Sequence, residues 1–323
     1  TRAGDSAALL AIARSLNMWE SWETNEKMDN WDNVVLWEEG MDGYTPEKAG
    51  RVKFARFSTF GTKEGLPFEV QYLTAADELV FFSNTNWTTF DLSTGEYITK
   101  LGQLRRLTIS GYGLVDLDPD FKNLKNLESL DISVNNFEKI PEVLTKENFP
   151  KLHALYLNTC QRGVIYDLSN TTTTHFGGLF EETDQTREFP RRLLEWDNLD
   201  TLTLSVNYLQ GRIPDMKDYA QKYTQADISA ADSLPQALVG TPKVLPNIKR
   251  FSINLNRLTG ELPEWLLHHP ALDWMDPFTL VFTQEGKDQD GKLAGFTNEP
   301  VNLDEYYRFY EGKKYLDPNK KEE

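Results

Sequence analysis

The sequence predicts an α/β solenoid in which coils of about 24 residues each contribute one short strand; two observations carry this expectation. First, three segments share one pattern: Leu127–Pro141 reads LESLDISVNNFEKIP, Leu199–Pro214 LDTLTLSVNYLQGRIP and Ile248–Pro263 IKRFSINLNRLTGELP. All have apolar residues at positions 1, 4 and 6, Asn at 9, an apolar residue at 11, and Ile/Leu-Pro near 14 to 15. Second, the same register recurs along the chain. Leu104-Leu107-Ile109 begins 23 residues before Leu127, and Leu152-Leu155-Leu157 begins 25 after it. Ala76-Leu79-Phe81 ends on Asn84, Val52-Ala55-Phe57 lies 24 residues earlier, and Leu272-Met275 lies 24 beyond Ile248.

In chain order, residues 1–50 predict a helical, tryptophan-rich N-terminal cap. Asp5 is a candidate N-cap for a helix over Ser6–Leu16, with Leu9, Leu10, Ile12, Ala13 and Leu16 on its apolar face. Trp19, Trp22, Trp31 and Trp37 follow, half of the chain's 8 tryptophans. Packing is the expected role of these indoles, with an exposed carbohydrate platform as the sharper alternative.

Residues 51–276 predict about ten coils. Positions 4 and 6 alternate along a strand and face the core with position 1. One coil cannot bury its apolar face alone, so neighbours stack. A buried amide at position 9 can satisfy backbone groups stranded by the turn after the strand and repeat as a ladder. Asn84, Asn135, Asn207 and Asn256 hold that slot, and Cys160 replaces one of them as a buried, inert thiol. Two gaps, 47 residues from Leu152 to Leu199 and 49 from Leu199 to Ile248, are each close to two periods. Degenerate coils are expected near 176–198, around Phe176, and near 223–247, as Tyr223-Ala226-Ile228, with insertions as the open alternative. Residues 277–323 predict a C-terminal cap and tail, with a hairpin built on Phe278–Thr283 and the turn Gly286–Gly291.

The second half of each coil carries Gly211-Arg212-Ile213-Pro214 or Gly260-Glu261-Leu262-Pro263. Gly permits a turn or close approach, and Pro starts the next short element. Asn-x-Leu-x-Gly-x-Ile/Leu-Pro resembles the plant-type leucine-rich repeat, found in plant receptor and polygalacturonase-inhibitor ectodomains and in exported bacterial surface proteins. The resemblance implies a right-handed coil with a concave parallel β-sheet. The order Asp5, an Ala-Leu-Leu helix, Trp31-Asp32-Asn33-Val34 and Gly50-Arg51-Val52 resembles the N-terminal cap of plant repeat receptors, without that cap's paired cysteines.

The composition is globular at 39% hydrophobic residues, and the formal charge of −16 disfavours nucleic acid. No transmembrane segment is present. A removed signal segment is expected, and an upstream lipobox would make the protein lipid-anchored. Cys160 is the only cysteine, so no internal disulfide forms. The four histidines, His153, His175, His268 and His269, build no zinc motif. His268-His269 ends a coil before Pro270, where exposed polar residues are ordinary. No nucleophile elbow, phosphate loop or dinucleotide fingerprint occurs, so neither an enzyme nor a cofactor is expected. Asp288–Leu293 reads as a turn, because Gly286 and Thr297 stand where a calcium loop needs oxygen ligands.

Function is then expected on the residues between the core positions. Ten strands about 4.8 Å apart make an arc on the order of 45 Å, suited to a protein segment or extended glycan. The candidate concave-face residues are Arg56, Phe82, Arg106, Asp131, His153, Tyr156, Asn158, Thr203 and Asn254, with Phe82 and Tyr156 as aromatic anchors. The expected function is protein–protein interaction at the cell surface or in the periplasm. The alternatives are a carbohydrate-binding surface protein that assists polysaccharide capture and a structural adhesin spacer.

Overall fold

The computed structural model describes residues 1–18, 22, 26–59, 65–83, 95–135, 137, 139–160, 164–166, 173–175, 188–230, 234, 236–267, 269–272, 284, 291 and 293–298. It is an α/β chain with a mostly parallel sheet and few helices, in two compact units, Thr1–Arg187 and Glu188–Glu323.

The first unit opens with helix α1, Arg2–Ser15. Thr1, not Asp5, is its N-cap: the Thr1 hydroxyl accepts from the Gly4 N–H at 3.1 Å. Thr and Asp both suit that position, so residue type alone left the choice open. Asp5 instead lies in the first helical turn, 1% exposed, and accepts from Arg51 Nε and Nη2 at 2.8 Å each and from Val52 N at 2.9 Å. It thereby ties the helix to the start of the sheet.

The tryptophans with described side chains are buried. Trp22 stacks on Trp31 with centroids 5.6 Å apart and meets Phe57 edge-on, and Phe57 stacks on Phe81 at 4.9 Å. The indoles of Trp22, Trp31 and Trp37 donate to the carbonyls of Asp32, Glu26 and Ala75, which satisfies the one polar atom each ring carries inward. Trp19 lies outside the described residues.

Strand β1, Val34–Leu36, runs antiparallel to β2, Val52–Thr59. Parallel strands β3 (Glu78–Ser83), β4 (Arg106–Ser110), β5 (Ser129–Asp131) and β6 (Ala154–Tyr156) follow. The register keeps position 4 in line: Ala55 faces Leu79, Leu79 faces Leu107, Leu107 faces Leu130 and Leu130 faces Leu155. All five residues are buried. A short hairpin, β7 (Val164–Tyr166) with β8 (Thr173–His175), follows β6.

Two residues of the expected ladder, Asn135 and Cys160, are described in this unit. Asn135 is fully buried; its Nδ2 donates to Ile109 O and Ile132 O, and its Oδ1 accepts from Tyr112 N and Leu114 N. Cys160 Sγ donates to Ile132 O at 3.2 Å, the carbonyl one coil back, and burial pushes its thiol pKa far up. Tyr112 occupies position 9 of its coil, a substitution the sequence pattern had not flagged. Asn84 lies outside the described residues. At position 8 the backbone turns left-handed at Gly111, Val134 and Thr159, with φ of 79°, 62° and 58°. Side chains other than Gly pay strain there, so the ladder bonds must hold the turn.

In the second unit, β9 (Thr201–Thr203) pairs in parallel with β11 (Arg250–Ser252). This direct pairing overturns the degenerate coil at 223–247: no strand from that stretch lies between them, and Gln225–Ala230 is helical. Position 9 of the supposed coil is Ala231, which has no amide to pin a turn. The stretch is an insertion that closes on itself, with Gly240 N donating to Tyr223 O and Tyr223 N to Thr241 O. Phe176 lies outside the described residues.

Asn256 repeats the ladder geometry here. Its Nδ2 donates to Leu204 O and Ile253 O, and its Oδ1 accepts from Asn207 N and Leu209 N. Asn207 is buried as well, and Val206 and Leu255 repeat the left-handed position 8. A second set of parallel strands, β10 (Gln210–Gly211), β12 (Arg257–Gly260) and β13 (Gly295–Phe296), runs through the glycines of the Gly-x-Ile/Leu-Pro motif. At Gly260, φ is 85°, a left-handed conformation that favours glycine, and a Cβ there would have to displace the exposed Arg212 side chain, whose Nε lies within 2.8 Å of it. Phe278–Thr283, the first arm of the expected hairpin, lies outside the described residues; β13 pairs in parallel with β12. His269 is also corrected: it is 5% exposed, its Nδ1 accepts from Ala271 N and Leu272 N, and its Nε2 therefore donates to the Val244 and Leu245 carbonyls.

Candidate functional site

In the first unit the outward positions of β2 to β6 form the open face of a sheet whose alternate residues are buried. Arg56 is exposed and half-buried Phe82 lies across β2 and β3 from it, the guanidinium carbon 5.5 Å from the ring centroid. The strand register makes this contact: Arg56 sits opposite Val80 and Ser58 opposite Phe82, so the long Arg side chain crosses diagonally to the ring. Arg106 is exposed opposite Glu78, with Nη1 3.9 Å from Oε2. Tyr156 is half-buried and in register with Asp131. His153 is exposed and Asn158 half-buried, its N–H donating to Ser133 Oγ.

Asp131 has a distinct electrostatic position. Its Oδ1 accepts from Ser133 N at 2.9 Å, yet burial raises its pKa above the usual carboxylate value. A raised value means the fold disfavours the ionised form, so the group's contribution to stability is fullest below pH 3.8 and is lost as pH rises through the folded value. Asp131→Asn is accordingly expected to raise the thermal unfolding midpoint at pH 7, with the gain vanishing below pH 3.8. A midpoint lowered at pH 7 would contradict this account.

The second unit holds the other two candidates. Thr203, expected on the exposed face, is 4% exposed, so it offers a partner no surface. A period-2 pattern shows which side a residue takes but not what covers that side. Asn254 is half-buried and its Oδ1 accepts from the Ser205 hydroxyl.

A row at position 2, which residue type did not reveal, uses up much of the formal charge on the face of the first unit. Lys53 Nζ lies 3.1 Å from Asp77 Oδ2, Asp77 Oδ1 lies 3.8 Å from Arg105 Nη1, and Arg105 Nε lies 2.9 Å from Glu128 Oε2. The hydrogen bond to Glu128 raises the Arg105 pKa. Alternating signs on successive strands were the available signal, visible only once the register aligned them. Arg56 has no carboxylate partner among the described residues. Among the described residues no group of His, Cys, Asp and Glu could hold a metal ion, and no helix is long and apolar enough to cross a membrane.

No protein-family model matches this sequence, and no curated protein matches it significantly. Similar solved structures are mostly plant leucine-rich-repeat receptor ectodomains, joined by a bacterial leucine-rich-repeat protein, and the chain resembles proteins of this kind. A plant ice-binding protein shares 18% identity at a TM-score of 0.48, over 88% of this chain and 86% of that one. The ectodomain of an Arabidopsis thaliana membrane receptor kinase, solved with Casparian strip integrity factor 2, shares 16% identity at a TM-score of 0.46 over 87% of this chain and 26% of that one. A leucine-rich-repeat protein from Bacteroides eggerthii shares 13% identity at a TM-score of 0.43 over 94% of this chain and 64% of that one. The chain thus spans about a quarter of the receptor ectodomain's chain and just under two thirds of the bacterial one.

Proposed function

We propose that this chain is a non-enzymatic protein–protein interaction module, exported to the cell surface or periplasm, that holds its partner on the open sheet face of the first unit. The observation that carries this reading is the Arg56–Phe82 pair, a guanidinium against a half-exposed ring on strands whose alternate residues are committed to the core. Arg and aromatic side chains supply a disproportionate share of interface energy, and a cation without a carboxylate partner among the described residues, on an acidic protein, is available to a partner. Tyr156 beside Asp131 extends the same face across β5 and β6.

The test is an array of surface proteins and glycans probed with the wild-type chain, Phe82→Ala and Tyr156→Ala, with thermal midpoints checking that each variant is folded. Protein capture that falls at least tenfold in both folded variants is the expected result. Capture of a glycan, lost on the same substitutions, would overturn the protein-partner reading.

A further inference from the structure

The insertion between β9 and β11 builds a cavity of about 270 Å³ in the second unit. Its walls are Tyr223, Leu238 and Pro242 from the insertion, with Trp265 and Pro270 from the coil after β12, and Glu264 at its edge. The frame is preformed. Tyr223 and Thr241 bond across the base of the insertion, Thr241 Oγ1 donates to Leu238 O at 2.6 Å, and the Trp265 indole is fixed by donation to Pro214 O at 2.8 Å. Tyr223, Leu238 and Trp265 are each no more than 6% exposed, so they wall the cavity and do not project from it.

Size and charge together define the occupant. The cavity falls below the roughly 300–1,000 Å³ that accommodates a whole drug-sized ligand, but suits one large side chain. Glu264 is exposed, as is Glu261, and neither has an ion-pair partner among the described residues. Lys243, whose ammonium lies 5.7 Å from the Tyr223 ring, is held by Asp227 at 3.1 Å. An apolar cavity edged by an uncompensated carboxylate, in a chain of formal charge −16, complements an apolar side chain flanked by cations. We propose that this cavity docks one aromatic or branched apolar side chain carried on a basic segment of a partner protein. The contact is additional to the sheet face and does not depend on it.

The test uses the full chain and a fluorescein-labelled heptapeptide, Gly-Lys-Lys-Trp-Lys-Lys-Gly, read by fluorescence anisotropy. The same peptide with a central Ala tests the apolar anchor, and one with Glu for every Lys tests the charge. The expected result is that the Trp peptide binds at least tenfold more tightly than either control. Glu264→Lys, a change at an exposed position, and Ala237→Trp, which fills the cavity from an exposed position on its rim, should each weaken it at least tenfold, about 1.4 kcal/mol. Should Ala237→Trp disturb the fold, Glu264→Lys with an unchanged urea midpoint decides. Equal binding of the Ala peptide, or undiminished binding to folded Glu264→Lys, would overturn the proposal. Equally tight binding of N-acetyl-tryptophanamide alone would overturn it in favour of a small-molecule site, and self-association abolished by Glu264→Lys in favour of a second copy. Phe82→Ala and Tyr156→Ala should leave this peptide's binding unchanged, so failure here is distinguishable from failure of the sheet-face reading.

Discussion

Asn256→Ala is expected to destabilise the protein by on the order of 4 kcal/mol, one of two large effects that follow from the buried polar contacts. The amide satisfies four backbone groups, the N–H groups of Asn207 and Leu209 and the carbonyls of Leu204 and Ile253, and the residue has no exposed surface. Each buried group left without a partner costs about 1–3 kcal/mol, and water entering the space vacated by the amide recovers part of the total. Leu255, left-handed at φ 56°, also loses the neighbouring bonds that hold its turn. Urea unfolding monitored by near-ultraviolet circular dichroism measures the loss. A change below about 1 kcal/mol would mean that the ladder bonds contribute little net stability.

Asp5→Ala is expected to cost about 3–5 kcal/mol, because it removes one partner of a buried pair and leaves the other uncompensated. Arg51 would lose both bonds to the carboxylate, keeping its contact to Thr74, and Val52 N would lose its acceptor. The helix would also lose its link to the first residue of β2. A double-mutant cycle with Arg51→Ala separates pairing from packing: the double variant should be less destabilised than the sum of the single ones. Strict additivity would show that the two side chains do not act as a pair.

The repeat was legible because its period lies in apolar residues, and burial confirms the register at Val52, Ala76, Leu104, Leu127, Leu152, Leu199 and Ile248, all at 0% exposure. The ladder was legible at Asn135 and Asn256, whose amides both donate to and accept from backbone groups, since a side chain with both donor and acceptor is what the turn requires. Cys160 could be assigned by position alone, and its bond to Ile132 O fits that slot. The insertion at 223–247 was misread because its length happens to be close to one period, and length does not tell a strand from an excursion. The candidate face could be read only one residue at a time: Arg56, Arg106 and His153 are exposed, but alternation could not show that Thr203 is covered.

The sequence by itself therefore determined the spacing of the strands, the side chains that face the core and the glycines at the second set of parallel strands, because each follows from local periodicity and residue type. Tertiary structure alone decided three further features. It made Asp5 a buried tie instead of a helix cap, because Arg51 lies 46 residues away in the chain and no local pattern joins them. It placed Val134, Val206 and Leu255 in left-handed turns that their side chains disfavour, because ladder bonds from a neighbouring coil outweigh the local strain. And it paired Lys53 with Asp77 and Arg105 with Glu128 while leaving Arg56 to lie against Phe82, because only strand register determines which charges become neighbours.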